Sequence, residues 1–217
     1  MLFYETFGNP CHLKTLVFLH GFLGSRQGND QDFQDFYKRS KAADTRGNLE
    51  AINIDKINNI NEYSKFVVYE LHKYINTEFA LIIQDDGFVI SPESWRDDFL
   101  KYDYIGAPWG LPNDDFSFRD PFGKIIRVGN GGFSLRTKKL LSLPTKLNLE
   151  WKEYFGFYNE DGFFVCHNRH LFEQEGCVFA DIDIARFFSH ETDIPETKNI
   201  LPFGFHGKHS KYMRVIY

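Results

Sequence analysis

Of the 217 residues only three are cysteine, Cys11, Cys166 and Cys177, odd in number and far apart. This excludes a disulfide framework and the paired spacing of a structural zinc site, so the thiols read as reduced in a cytoplasmic protein. Positive charge is also short. The formal net charge is −5, and no dense Lys/Arg run with interleaved aromatics occurs. A phosphate backbone finds no electrostatic footprint, and nucleic acid is not expected as a partner. Long hydrophobic runs are missing too: the stretch from Leu16 to Leu23 is interrupted by His20 and Gly21 and follows no basic leader. Neither a transmembrane segment nor a signal peptide is expected.

Aromatic residues are what the chain has in excess. They make up 18% of it, 24 of them Phe, within a hydrophobic fraction of 42%. That supports one sizeable core, with flat side chains left over to stack on sugar or base rings. Residues 1–48 read as an N-terminal strand and polar linker, and 49–217 as the main domain.

The spacing of apolar residues at 63, 66, 67, 71, 74 and 75 predicts a helix from Glu62 to Ile75 capped by Asn61. Phe79 to Ile83 is a continuous apolar run of strand length and reads as a buried parallel strand. Ser91-Pro92 sets up a helix reaching Tyr102. Strands are expected at 104–107, 125–128 and 132–135, and a helix from Thr137 stopped by Pro144. A further helix is expected from Glu160 to Glu175, capped by Asn159. This alternation predicts an α/β architecture, a mostly parallel sheet flanked by helices.

Three clusters stand where chemistry is expected. Gln84-Asp85-Asp86-Gly87 follows the Phe79 strand directly, at the sheet edge where ligands bind, and its carboxylates suit a hard divalent cation; an Asp-Gly turn is the plainer alternative. Gly129-Asn130-Gly131-Gly132 lets the backbone approach a ligand or simply forms a bulge, and it matches neither the dinucleotide nor the P-loop fingerprint. Asn159-Glu160-Asp161-Gly162 places carboxylates at a helix start, where they can take a proton or merely cap. His206, between Gly204 and Gly207, is a candidate metal or phosphate contact, with His190 competing. Trp109, Phe133 and Tyr158 are candidates to stack on a ring.

Residues 49–212 resemble a bacterial and fungal family of glycosyltransferase-like domains similar to the GT-A nucleotide-sugar transferases. The resemblance is carried by Ala80–Ile90, Tyr104–Trp109, Val128–Arg136, Asn159–Gly162 and Phe203–Gly207, in the family's order. It implies a GT-A-like, Rossmann-like mixed sheet, mostly parallel, with a shortened N-terminal portion. It also implies an inverting transfer from a nucleotide-sugar donor to a glycan or glycolipid acceptor, as in polysaccharide synthesis, with only peripheral membrane contact. By the resemblance, Asp86 and His206 hold Mn2+ or Mg2+, and Gln84 stands where the metal motif's first acid is usual. Asp161 or Glu160 falls at the place of the base. Gln84, Asp85, Gly87, Trp109, Asn130, Gly131, Gly132 and Arg136 fall in the donor and acceptor site.

Two alternatives remain open: a binding domain without catalysis, and a remote hydrolase fragment. Leu16–Ser25 resembles the α/β-hydrolase strand before a His-Gly turn, but a Gly-x-Ser-x-Gly elbow is absent, with Ser134 the nearest approach.

Overall fold

The computed structural model of the protein describes residues 2–7, 14–19, 50–52, 54–55, 57–84, 86–152, 159–208 and 210–212, the first three runs as backbone. The larger sheet contains β1 (Leu2–Phe7), β2 (Lys14–Leu19), β3 (Glu50–Ile52), β4 (Phe79–Gln84), β6 (Tyr104–Pro108) and β7 (Val128–Thr137), in the order β3-β1-β2-β4-β7-β6. A smaller sheet has the order β5-β9-β8, from β5 (Gly87–Val89), β8 (Ser189–His190) and β9 (Gly204–His206). The N-terminal strands therefore belong to the same sheet as β4.

Among the described strands, β2–β4 and β8–β9 pair in parallel, whereas β1–β2, β1–β3, β4–β7, β6–β7 and β5–β9 are antiparallel. The expected mostly parallel, GT-A-like and Rossmann-like sheet is thereby corrected: both sheets are mixed, and antiparallel pairs predominate. The physical reason lies in what the apolar run of β4 reports. Its Ala80 and Ile82 enter a core with Val67, Val68, Leu71, Leu140, Phe164 and Phe172 on one face. Phe79, Leu81 and Ile83 enter a second core on the other face, with Phe99, Phe133, Phe188 and Phe203. Burial on both faces makes a strand continuously apolar whatever its direction. β4 does lie parallel to β2 on one side, as expected, but its other neighbour, β7, is antiparallel, and residues 91–102 supply only two short 3-10 turns, Pro92–Ser94 and Asp97–Lys101, in place of the expected crossover helix.

Helical segments differ from expectation mainly in their ends. α1 (Ile60–Lys65) continues as a π turn, Phe66–Glu70, and a 3-10 turn, Leu71–Tyr74. Its cap is Asn59, whose Oδ1 accepts the Glu62 amide at 2.9 Å; the expected cap, Asn61, lies one residue inside the helix and accepts Trp151 Nε1 at 2.8 Å instead. β7 covers the strand expected at 132–135, holds the glycines inside it and buries every residue, but of the strand expected at 125–128 it takes only Val128, Ile125 forming an isolated bridge with Arg119. α2 (Lys138–Lys146) is capped by Thr137 and carries Pro144 within its last turn instead of stopping there. The helix expected over 160–175 is divided into α3 (Glu160–Gly162), a π turn at Phe163–His167 and α4 (Arg169–Gln174). Asn168 makes the break by donating from Nδ2 to the Phe163 carbonyl at 3.1 Å. α5 (Ile182–Phe188) starts at Asp181, whose side chain accepts two backbone amides. Among the described residues no helix is long and apolar enough to cross a membrane.

Candidate functional site

The parts singled out in the sequence lie around one cavity of about 700 Å3, bounded by α1, the end of β4, β7, α3 and the 110–119 segment. Gln84, Trp109, Asn130, Gly132, Glu160, Asp161 and His206 all reach its wall. Asp86, Gly87, Gly131 and Arg136 stand behind that wall. Asp85, Tyr158, and His20 with Ser25 lie outside the described residues.

His206 stands on the cavity wall. Cross-strand pairing in the small sheet sets it opposite Gly87. Its Nε2 lies 3.0 Å from Gln84 Oε1 and 3.0 Å from Asp86 Oδ1, and Nδ1 lies 3.8 Å from Glu191 Oε1. Burial pulls the imidazole pKa down, but Asp86 and Glu191 outweigh it and raise the value to about 9. Burial likewise pushes the Asp86 carboxyl up, and the hydrogen bond and charge of His206 more than offset this, leaving it below its usual value. Gln84 completes the row by donating from Nε2 to Tyr63 Oη at 2.8 Å.

Glu191 is the member that the sequence reading missed. It holds its place by accepting Asn130 Nδ2 at 2.7 Å. The available signal was its position next to His190: alternation at the end of β8 turns the two side chains to opposite sides. His190 itself points into a buried network, Nδ1 to Ser210 Oγ at 3.2 Å and Nε2 to Asp193 Oδ1 at 3.0 Å, away from the cavity.

Gly131 and Gly132 serve close approach within a strand. A Cβ on Gly132 would fall 2.1 Å from His206 Nε2, and one on Gly131 would fall 2.2 Å from Glu160 Oε1. Each glycine is a seat for a charged side chain, which is why a glycine run persists in a buried strand. Gly132→Ala must displace the imidazole ring. The expected result is a loss of about 1–3 kcal/mol in urea unfolding, with altered His206 NMR shifts.

The two acids of α3, which reach the same wall, have parted roles. Glu160 Oε2 meets Arg136 Nη2 at 2.8 Å, with both side chains withdrawn from solvent. Arg136 is further held by Ser134 Oγ, which accepts from its Nε at 3.0 Å, and by the rings of Tyr104 and Phe164. Arg136 is thus a buried counter-ion and not a ligand contact. Ser134 is fully buried and also donates to the Gly131 carbonyl at 2.9 Å, so it has no access to an ester.

Asp161 alone faces the cavity as an ionisable acid without a cationic partner within ion-pair distance among the described residues. It accepts the Gly162 amide at 2.7 Å and the Gly131 amide at 3.4 Å. Burial, then the charge of Glu160, raise its carboxyl to about 7 against the helix-start amide that lowers it. Protein envelops the carboxyl on all sides except the strip of surface it keeps at the cavity wall. A carboxyl poised near neutrality exchanges protons readily at physiological pH.

The aromatic candidates divide similarly. Trp109 lines the cavity and stacks on Phe118 with ring centroids 4.5 Å apart. Phe133 is wholly buried against Phe188 and Phe203, so it is core. Among the described residues no three side chains of His, Cys, Asp or Glu converge on one point suited to a metal ion.

A protein-family model described as a protein of unknown function, DUF5672, matches residues 47–206, and this span encloses every residue of the cavity wall. No curated protein matches the chain.

Proposed function

We propose that this chain, which belongs to the DUF5672 family of proteins of unknown function, is a glycosyltransferase that uses a nucleotide-sugar donor and a glycan or glycolipid acceptor. The observation that carries the reading is the cavity itself: its wall joins a proton-accepting acid near neutrality to a cluster of charge around His206. The reading stands on these side chains and not on the sheet, which departs from the expected one.

In the proposed step the acceptor hydroxyl gives its proton to the Asp161 carboxylate as its oxygen attacks the anomeric carbon. The bond from that carbon to the diphosphate oxygen breaks, and the diphosphate leaves with the electron pair. A single displacement of this kind inverts the anomeric centre. Glu160 remains paired with Arg136 throughout and serves to hold α3 and to keep negative charge beside Asp161.

Asp86, His206 and Gln84 would hold a divalent Mn2+ or Mg2+ ion. Their fit rests on three donor atoms brought together: Oδ1 of Asp86 and Oε1 of Gln84 each lie 3.0 Å from Nε2 of His206. Ligands of one octahedral ion at its usual bond lengths stand about 3 Å apart, and so small a protein set leaves positions for phosphate oxygens. Such an ion supplies charge neutralisation for the departing diphosphate.

Binding the ion requires His206 to release its proton, so manganese affinity should rise about tenfold per pH step below pH 9 and level off above it. Titration calorimetry with manganese, with and without UDP, checks this. His206→Ala should abolish the pH dependence, and absence of heat with UDP or GDP at any pH sinks the transferase reading. Preserved nucleotide binding with no transfer would instead favour a domain that binds without catalysis.

A further inference from the structure

Part of the cavity wall comes from the segment between β6 and β7, and the proposed transfer step does not use it. Asp114 closes this segment into a tight turn, accepting the amides of Phe116 and Ser117 and the Ser117 hydroxyl. The hydrogen bonds from Ser117 and Phe116, and then the charge of Arg119, hold the Asp114 carboxyl below its usual value. Arg119 is then fixed by its Nη1, which donates to the Asp114 and Ser117 carbonyls at 3.2 Å and 3.1 Å. No acid lies within ion-pair distance of this guanidinium among the described residues. Two main-chain carbonyls orient it, and the Asp114 carboxylate acts on it through charge without closing to an ion pair, so a cation stands on the cavity wall.

On the same cavity wall Phe116 is 47% exposed. The stacked pair Trp109 and Phe118 forms part of the same wall. An aromatic face next to a pre-set guanidinium matches a ligand that has both a ring and a negative group.

We infer that Phe116 and Arg119 form a subsite for a substrate ring bearing an anionic substituent, Phe116 covering the ring and Arg119 pairing with a phosphate or carboxylate. The assignment rests on the transferase reading for calling that ligand a substrate. Phosphate and carboxylate share the chemistry, and separate probes distinguish them.

Titration calorimetry is run with glucose 1-phosphate, glucuronate and methyl glucoside on the intact chain. At least one anionic probe binds roughly tenfold or more tighter than methyl glucoside, as a charged hydrogen bond requires. Arg119→Gln removes that preference and leaves methyl glucoside unchanged, Arg119→Lys keeps part of it, and Phe116→Ala weakens all ligands up to about tenfold. A preference for glucose 1-phosphate alone identifies phosphate, and one for glucuronate alone identifies carboxylate. Unfolding midpoints matching the parent protein show that the variants fold. Equal affinity for anionic and neutral probes, or an anion preference that survives Arg119→Gln, overturns the subsite. If the Arg119-dependent preference appears while the wild-type chain cleaves no nucleotide-sugar, the subsite stands and the transferase reading fails.

Discussion

Asp161→Asn is expected to lower turnover roughly 10²–10⁴-fold while leaving donor affinity within about twofold, the pattern of a lost proton acceptor. Its companion is a change in the pH profile. With the carboxyl near 7, wild-type turnover should rise tenfold per pH step below 7 and flatten above it, because the ionised form is the active one. Steady-state rates from pH 5 to 9 read this directly. A profile without that limb removes Asp161 from the step.

The same substitution should make the protein more stable above neutral pH. The folded pKa lies above the ordinary value of 3.8, so the folded state disfavours the charge. The favourable contribution is present in full below pH 3.8 and lost as pH rises through 7. At pH 8 the variant escapes that loss, and urea unfolding should show a gain on the order of 2–4 kcal/mol, less wherever the cavity admits water. Slower turnover joined to a firmer fold would mark an acid kept for chemistry and not for packing.

Arg136→Met carries the largest expected effect on stability. It leaves the Glu160 carboxylate sealed in protein with its counter-ion gone, and one-sided removal of a buried ion pair costs about 3–5 kcal/mol. The double variant Arg136→Met with Glu160→Gln removes both charges and should recover most of that loss, measured as a double-mutant cycle in urea. No recovery would show that the guanidinium acts through its contacts with Tyr104 and Phe164 alone.

Much of the molecule is legible in the order of its residues, though unevenly. Phe79–Gln84 and Tyr104–Pro108 form strands close to where their apolar runs fall. Asp181, Thr137 and an asparagine before α1 act as caps because short polar side chains compete for backbone amides wherever they stand. Strand direction was not legible, since hydrophobicity reports burial and not polarity of the chain. Glu160 and Asp161 look interchangeable in sequence. Only Arg136, 24 positions earlier, separates them by taking one of the two.

The sequence by itself determined which residues are apolar, where turns and caps interrupt them, and which acids and imidazole stand beside glycines. Those are local properties, fixed by side-chain chemistry within a few positions of the chain. The tertiary structure alone decided the antiparallel pairing of β4 with β7 and the burial of Arg136. It also decided the approach of Glu191 to His206 and the isolation of Asp161 at the cavity wall. Each of these depends on distances between residues remote in sequence, and in a low-dielectric interior those distances set which charges are neutralised and which proton can move.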